Sequence, residues 1–526
     1  MINCGRNYMR NGHAKTRART SVFLFLSIAL ALLTLDLPAA CNGAGLYQYG
    51  VWQSNDPILT QPFVDGAVAY IGWNALEPEE GAIDLRPIEE LRARARKIGK
   101  KLIIRMVSAE LTPSWVYRKG VPKVLDATDH DPRWVPLYWD PKYLEALDGF
   151  IGRVGPALDG DPTIEAVQIG IGRYGEMCLE GEDWLRRQAT PSLWTDTCIA
   201  ILNIYLKHVR RTRLLVMIMS ADLPGGRWTQ PMHDVAAYAA SHGIGLQFNG
   251  LSPDNSYLWG VRDEPDPDSA IGIFRLYAGV APLAFELTSD KVDPRLSCMN
   301  ALSEHASYLS VHTNLLANPT LADLFSFTHY FLGKDARTAG AVWSLLRQTN
   351  PDADVETGKK NYEFGLKQVE FASPAPIVLE DKATSMTGKT IALNDFMGLP
   401  CRKTVRSHGS GAMAFRIAPE FDFGSRPKIS VVYADVGSDI WSLWYMSEEG
   451  FRRAGSAQKQ NTGRWVLAEF EAPYLTRGND ADLLIDSVDN GDEYIHYVQL
   501  TRAGATAPLP LSLPRVSAPA SGNVAE

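Results

Sequence analysis

Two glutamates in this 526-residue chain stand out because of their surroundings. Glu286 lies inside the apolar run PLAFELT (282–288), and Glu176 follows another, IEAVQIGIG (164–172), within the segment GIGRYGEM. An ionisable side chain in an apolar strand is costly to bury without partners, so its presence asks for a reason. Paired carboxyl groups supply one: they can cleave a glycosidic bond, one protonating the leaving oxygen while the other attacks or stabilises the anomeric carbon. Burial and a neighbouring anion would raise the pKa of Glu176 and suit it to acid/base work, leaving Glu286 as the ionised nucleophile. Structural roles are open for both. Glu286 could be paired to Arg105 or Arg173 for structure only, and Glu176 could be one solvated acid beside Glu180, Glu182 and Asp183.

The elements that must position them read as an α/β fold, a (β/α)8 TIM barrel followed by a β-sandwich. Short apolar runs at 46–52, 68–74, 101–107, 164–172, 214–221, 244–250, 282–288 and 324–331 read as strands. Between them lie helical patterns such as 88–99 and 231–243, the second ending in Gly243, a favoured residue just past a helix. Strands buried on both faces should be almost continuously apolar, as these are. Eight strand–helix units in about 300 residues suit barrel closure better than a doubly wound open sheet. The C-terminal ends of barrel strands converge on one face. Glutamates at strands four and seven could then approach to about 5–5.5 Å, the carboxyl spacing of retaining glycosidases. The barrel is expected over 46–372, with SPAP (373–376) as a linker. β-rich runs divided by turn residues over 377–502 predict the sandwich, and an Ala/Pro/Ser-rich tail over 503–526 predicts disorder.

Two short motifs carry a family resemblance. WNALEPEEGAIDL (73–85) resembles the W-x-x-x-E-P-x-x-G-x-x-D signature after strand two of family forty-two β-galactosidases, members of clan A of the glycoside hydrolases; LTPSWV (111–116) resembles their T-P-x-W element after strand three. The resemblance covers about residues 46–350. It implies an acid/base at strand four and a nucleophile at strand seven, positions held by Glu176 and Glu286. The chain departs from the clan at Gly175, where an Asn normally precedes the acid/base and contacts the sugar 2-hydroxyl, so that contact would fall to another residue such as Asn249, or the substrate differs. The aromatic expected at the end of strand eight would be His329 or Tyr330. Sugar rings stack their C–H faces on aromatic rings, which makes Trp73 and the rings of the loop 108–139 (Trp115, Tyr117, Trp134, Tyr138 and Trp139) candidate platforms. Arg105 could bind a hydroxyl or an acidic substituent, or orient a carboxylate; Arg173 and Tyr174 flank the acid/base as further substrate contacts.

Composition excludes several alternatives. Sixty acidic residues against fifty-two basic give a net charge of −8, which opposes binding to nucleic acid. No GxGxxG or P-loop element follows the first strand, no GxSxG or HExxH element is present, and the cysteines lack CxxC spacing, so the proposed chemistry uses no cofactor and no metal. The acidic turn DSVDNGDE (486–493) could instead bind calcium. Residues 1–41 read as an export signal: a basic segment, then the apolar run Ser21–Leu35, too short to span a bilayer. An uncleaved signal anchor and a lipid-modified Cys41 are the alternatives. Export places the chain in the periplasm, at the cell surface or outside the cell, where Cys178 and Cys198 could form a disulfide. The expected function is hydrolysis of a β-glycosidic bond in an oligo- or polysaccharide, with the sandwich binding carbohydrate through Trp441, Trp444 or Tyr445, or only packing. A non-catalytic carbohydrate-binding protein on a degenerate barrel and a transglycosylase using the same residues stand as alternatives.

Overall fold

The computed structural model describes residues 43–50, 57–253, 270–288, 292–347, 361–371, 373–379, 382–405, 411–487 and 491–516. The expected leader, 1–41, lies outside the described residues. No helix among those described is long and apolar enough to cross a membrane.

Eight parallel strands close into a barrel: β1 (Gly45–Tyr49), β2 (Gly66–Gly72), β3 (Lys101–Val107), β4 (Ile164–Ile169), β5 (Arg213–Met217), β6 (Gly245–Phe248), β7 (Leu283–Leu287) and β8 (Tyr308–His312). Each strand pairs with the next, and β1 closes on β8 from Gly45↔Tyr308 to Tyr49↔His312. The five residues of β7 are all buried, including Glu286, as a strand covered on both faces requires. Inside the barrel Tyr47, Val68, Ile103, Ala166, Leu215, Ala284 and Tyr308 form a closed apolar cluster. Side chains alternate along a strand, so the residue two positions on faces the interior again. That step leads to Tyr49, Tyr70, Arg105, Gln168, Met217, Glu286 and Ser310, a polar layer nearer the C-terminal mouth.

Seven of the barrel strands coincide with the apolar runs of the sequence, and the eighth does not. The run 324–331 belongs to a helix, Ala322–Phe331, whose buried residues Leu324, Phe325, Phe327, Thr328 and Phe331 follow helical spacing. The eighth strand is Tyr308–His312, whose sequence YLSVH carries a serine and a histidine and so reads less apolar.

Two antiparallel sheets follow, with residues of both (Ile429 and Val431 from one, Phe415 and Leu443 from the other) packed in a shared apolar cluster, a β-sandwich. Its sheets begin earlier than the expected boundary at 372. Ala341–Leu345 pairs with Tyr494–Thr501, and Leu366–Val369 pairs with Ala412–Ile417. The tail is ordered beyond 503: Leu509 and Leu513 pack on the core, and Arg515–Val516 pairs with Leu467 and Ala468. Trp441, Trp444 and Tyr445 are buried, so these rings are sandwich core rather than sugar platforms. In the acidic turn, Asp492 and Glu493 pair with Lys403 and Lys459 at 2.9 and 3.0 Å, and no cluster of metal-binding side chains occurs among the described residues. Cys178 and Cys198 are buried free thiols; Cys198 lies inside the helix Pro191–His208, while Cys178 packs against Thr128.

Candidate active site

At the C-terminal mouth of the barrel lies a cleft of about 700 Å³ that receives both Glu176 and Glu286. Its walls come from the ends of β1 (Tyr49), β2 (Tyr70) and β3 (Arg105), and from residues just past β5 (Met219), β6 (Asn249) and β7 (Thr288). This is the face on which barrel enzymes place their chemistry.

Glu176 reaches the cleft through an unusual turn after β4. Tyr174 (φ 56°) and Gly175 (φ 87°) both take left-handed backbone conformations, folding the chain back so that Gly172 N–H donates to the Glu176 carbonyl at 2.9 Å. A Cβ on Gly175 would also stand 2.6 Å from the Met217 methyl. Glycine at 175, where the resemblance led to the expectation of an Asn, is therefore favoured by the turn itself. An amide is supplied from the other side: Asn249 Nδ2 donates to Glu176 Oε1 at 2.7 Å.

Glu286 is nearly enclosed, and the buried guanidinium of Arg105 donates to its Oε2. The same guanidinium donates to the Tyr70 hydroxyl, lies 4.6 Å from the centre of that ring, and donates through Nε to Gln168 Oε1 at 2.5 Å. The two carboxyl groups thus meet opposite environments in one cleft. Burial pushes the Glu176 pKa up to about 7, the Asn249 donor opposing it and the negative charge of Glu286 adding to it. Glu286 has a cation on its carboxylate. Arg105→Met is expected to lower stability by about 3–5 kcal/mol, since it strands a buried carboxylate without its partner. A denaturant midpoint that did not fall, or that Glu286→Gln in the same chain failed to restore, would count against this pairing.

The other expected contacts divide. Tyr174 and Asn249 line the cleft. Arg173 is buried behind it, donating to the Thr128 carbonyl at 2.9 Å and to the Asp131 carbonyl, and so holds the segment that presents Asp129 and His130 to the cleft. Trp73, Trp115 and Trp139 are not among the lining residues. Trp73 stacks on Phe150 with centroids 4.8 Å apart, and its Nε1 donates to Glu77 at 3.0 Å; Trp115 Nε1 donates to the Glu77 carbonyl at 3.1 Å. Glu77 itself is fully buried and paired with Arg153. The W-x-x-x-E-P stretch is thus a packing anchor behind β2 and β3. Trp139 packs on Trp184, and Tyr138 stacks on that same ring at 5.0 Å. From the long loop it is Thr128–His130, the turn between strands Lys123–Asp126 and Arg133–Pro136, that reaches the cleft. His329 and Tyr330 fall on the helix Ala322–Phe331 and do not line the cleft; His329 Nε2 sits 3.2 Å from Asp65, which precedes β2 at the opposite, N-terminal face.

Among the residues that the sequence does not single out are four of the barrel interior. Tyr49 and Tyr70, with ring centroids 5.8 Å apart, form an aromatic wall beside Glu286; Gln168 and Gln247 are buried polar side chains on β4 and β6. The signal for three of them was parity: each lies two positions beyond an apolar residue of the barrel interior. Gln247 lies likewise two beyond Gly245, the first residue of β6.

No family profile and no curated protein matches the chain. Among solved structures it is similar to the catalytic domain of a β-amylase from Paenibacillus polymyxa (TM-score 0.38, 9% identity, 52% of this chain and 92% of that one). It is also similar to a β-galactosidase from the psychrophilic Marinomonas ef1 (TM-score 0.35, 14% identity, 51% and 53%), about half of whose length it spans. A third is GH5_18 from Streptomyces cattleya in complex with GlcNAc (TM-score 0.33, 13% identity, 51% and 71%). At these scores the likenesses carry no argument about chemistry, which rests on the cleft.

Proposed function

We propose that this chain is an exported retaining glycoside hydrolase that cleaves a β-glycosidic bond of an oligo- or polysaccharide. The observation that carries the reading is the electrostatic division of two glutamates within one cleft: Glu176 keeps its proton close to neutral pH, while Glu286 has a guanidinium on its carboxylate. That is the division of labour a double displacement needs. Glu176 gives its proton to the glycosidic oxygen as Glu286 attacks the anomeric carbon, and the aglycone leaves as an alcohol. A glycosyl ester on Glu286 results. Glu176, now a carboxylate, takes a proton from water; the water oxygen attacks the same carbon, and Glu286 is released as the anion that Arg105 pairs.

The β configuration and the hydrolase class draw on the resemblance at 73–85 and 111–116, and export on the leader at 1–41. The hydrogen bond from Asn249 to Glu176 supports the reading of Glu176 as a positioned acid rather than a solvated one. Incubation with activated 2-fluoro glycosides of several sugars, followed by peptide mass mapping, tests the proposal. A mass increment on the peptide bearing Glu286 is expected. Label elsewhere, or none across the panel, would overturn it.

A further inference from the structure

The two carboxyl groups are joined by an unbroken line of hydrogen bonds through the barrel interior. Arg105 donates through Nη2 to Glu286 and through Nε to Gln168 Oε1 at 2.5 Å. Gln168 Nε2 donates to Gln247 Oε1 at 2.5 Å, Gln247 Nε2 to Asn249 Oδ1 at 2.7 Å, and Asn249 Nδ2 to Glu176 Oε1 at 2.7 Å. Gln168 and Gln247 are both buried.

The direction of this line follows from chemistry. A guanidinium has donors only. Gln168 must therefore turn its oxygen to Arg105 and its amino group to Gln247. The same constraint passes to Gln247 and then to Asn249, whose amino group is left for Glu176 and for the weakly accepting Met217 sulfur at 3.3 Å. Without the line, the Asn249 amide could turn over and present its oxygen to Glu176, an acceptor that holds the carboxyl proton instead of a donor that favours its release. With the line in place, Oε1 of Glu176 receives an N–H, so the acidic proton sits on Oε2.

We infer that Gln168 and Gln247 are positioning residues: through Asn249 they lock which oxygen of Glu176 carries the proton and how readily it leaves, with Arg105 setting the polarity at both ends. The catalytic consequence rests on the reading of Glu176 as acid/base, whereas the lock itself does not. Other groups acting on Glu176 are Arg105, Glu286 and Asp129, with Cys178 and Tyr49 also within electrostatic reach; replacing Gln247 removes no hydrogen bond to any of the five, and replacing Gln168 removes only the acceptor of Arg105 Nε.

Infrared titration of the free protein, with the Glu176 band assigned by its loss in Glu176→Gln, reads the lock without any substrate. Gln247→Met is expected to move the Glu176 midpoint upward by about half a pH unit or more, the direction set by loss of a donor to the carboxylate. Gln168→Met, one link further away, should move it the same way and serves where Gln247→Met does not fold. In an Asn249→Ala background neither should move it further. Midpoints that stay at the parent value in both single variants, or shifts that add fully to that of Asn249→Ala, would overturn the inference. A chain that hydrolyses no glycoside would overturn the proposed function and leave the titration to decide the lock.

Discussion

Glu286→Gly is expected to lower turnover by roughly 10⁴- to 10⁶-fold, the scale on which loss of a covalent nucleophile acts. The distinguishing result is rescue. Removing the side chain opens a small cavity beside Arg105, whose buried guanidinium has lost its anion and so favours entry of azide. Azide there would attack the anomeric carbon from the face that Glu286 used, with an activated aryl leaving group already in place. The product expected from a β-glycoside is the α-glycosyl azide, identified by NMR. A variant that azide does not revive, or that yields the β-azide, would remove Glu286 from the nucleophile's role.

Glu176→Gln is expected to cost about 10²- to 10⁴-fold on substrates with poor leaving groups and far less on activated aryl glycosides, which leave without protonation. The protonated carboxyl is the working form, so kcat/KM of the parent enzyme should fall as pH rises past about 7, and that limb should be lost in the variant. Stability of the parent should also fall as pH rises, over a lower range. The carboxyl titrates at about 7 in the folded chain against 4.5 for an ordinary glutamate, so the folded state holds the proton more tightly. Its contribution is full below pH 4.5 and is lost between 4.5 and about 7. Above that range the parent carries a penalty of up to about 3 kcal/mol, at roughly 1.4 kcal/mol per unit, reduced by water in the cleft. Glu176→Gln should therefore melt higher than the parent at pH 8 and nearly level with it at pH 4. Equal melting curves at pH 8 would mean that the carboxyl is not held protonated.

How far the sequence reading reached is clearest at the two ends of the barrel. Strands such as KLIIRMV and PLAFELT are buried on both faces, so local composition alone marks them, and a glutamate among such residues is conspicuous. The run LFSFTHYF is equally apolar but lies on a helix; its helical spacing extends over only about two turns, too short to separate the two states in the sequence alone. Trp73, Trp115 and Trp139 are apt for stacking on sugars by residue type. They pack instead around Glu77 and Trp184, and nothing in a one-dimensional pattern tells a ring in a wall from a ring behind it.

Composition and spacing by themselves determined an alternation of buried strands and amphipathic helices, a β-rich second module, and two acids at the ends of strands four and seven. Those features are local, since burial on both faces of a strand imposes its own composition. What only the closed barrel decided is which side chains share an interior layer. Closure brings Arg105 from β3 onto Glu286 of β7, and Gln168 of β4 against Gln247 of β6, contacts between residues 63 to 181 positions apart for the guanidinium and 79 for the two amides. The raised pKa of Glu176 and the ion pair of Glu286 depend on those long-range neighbours and on burial, and so they belong to the tertiary structure.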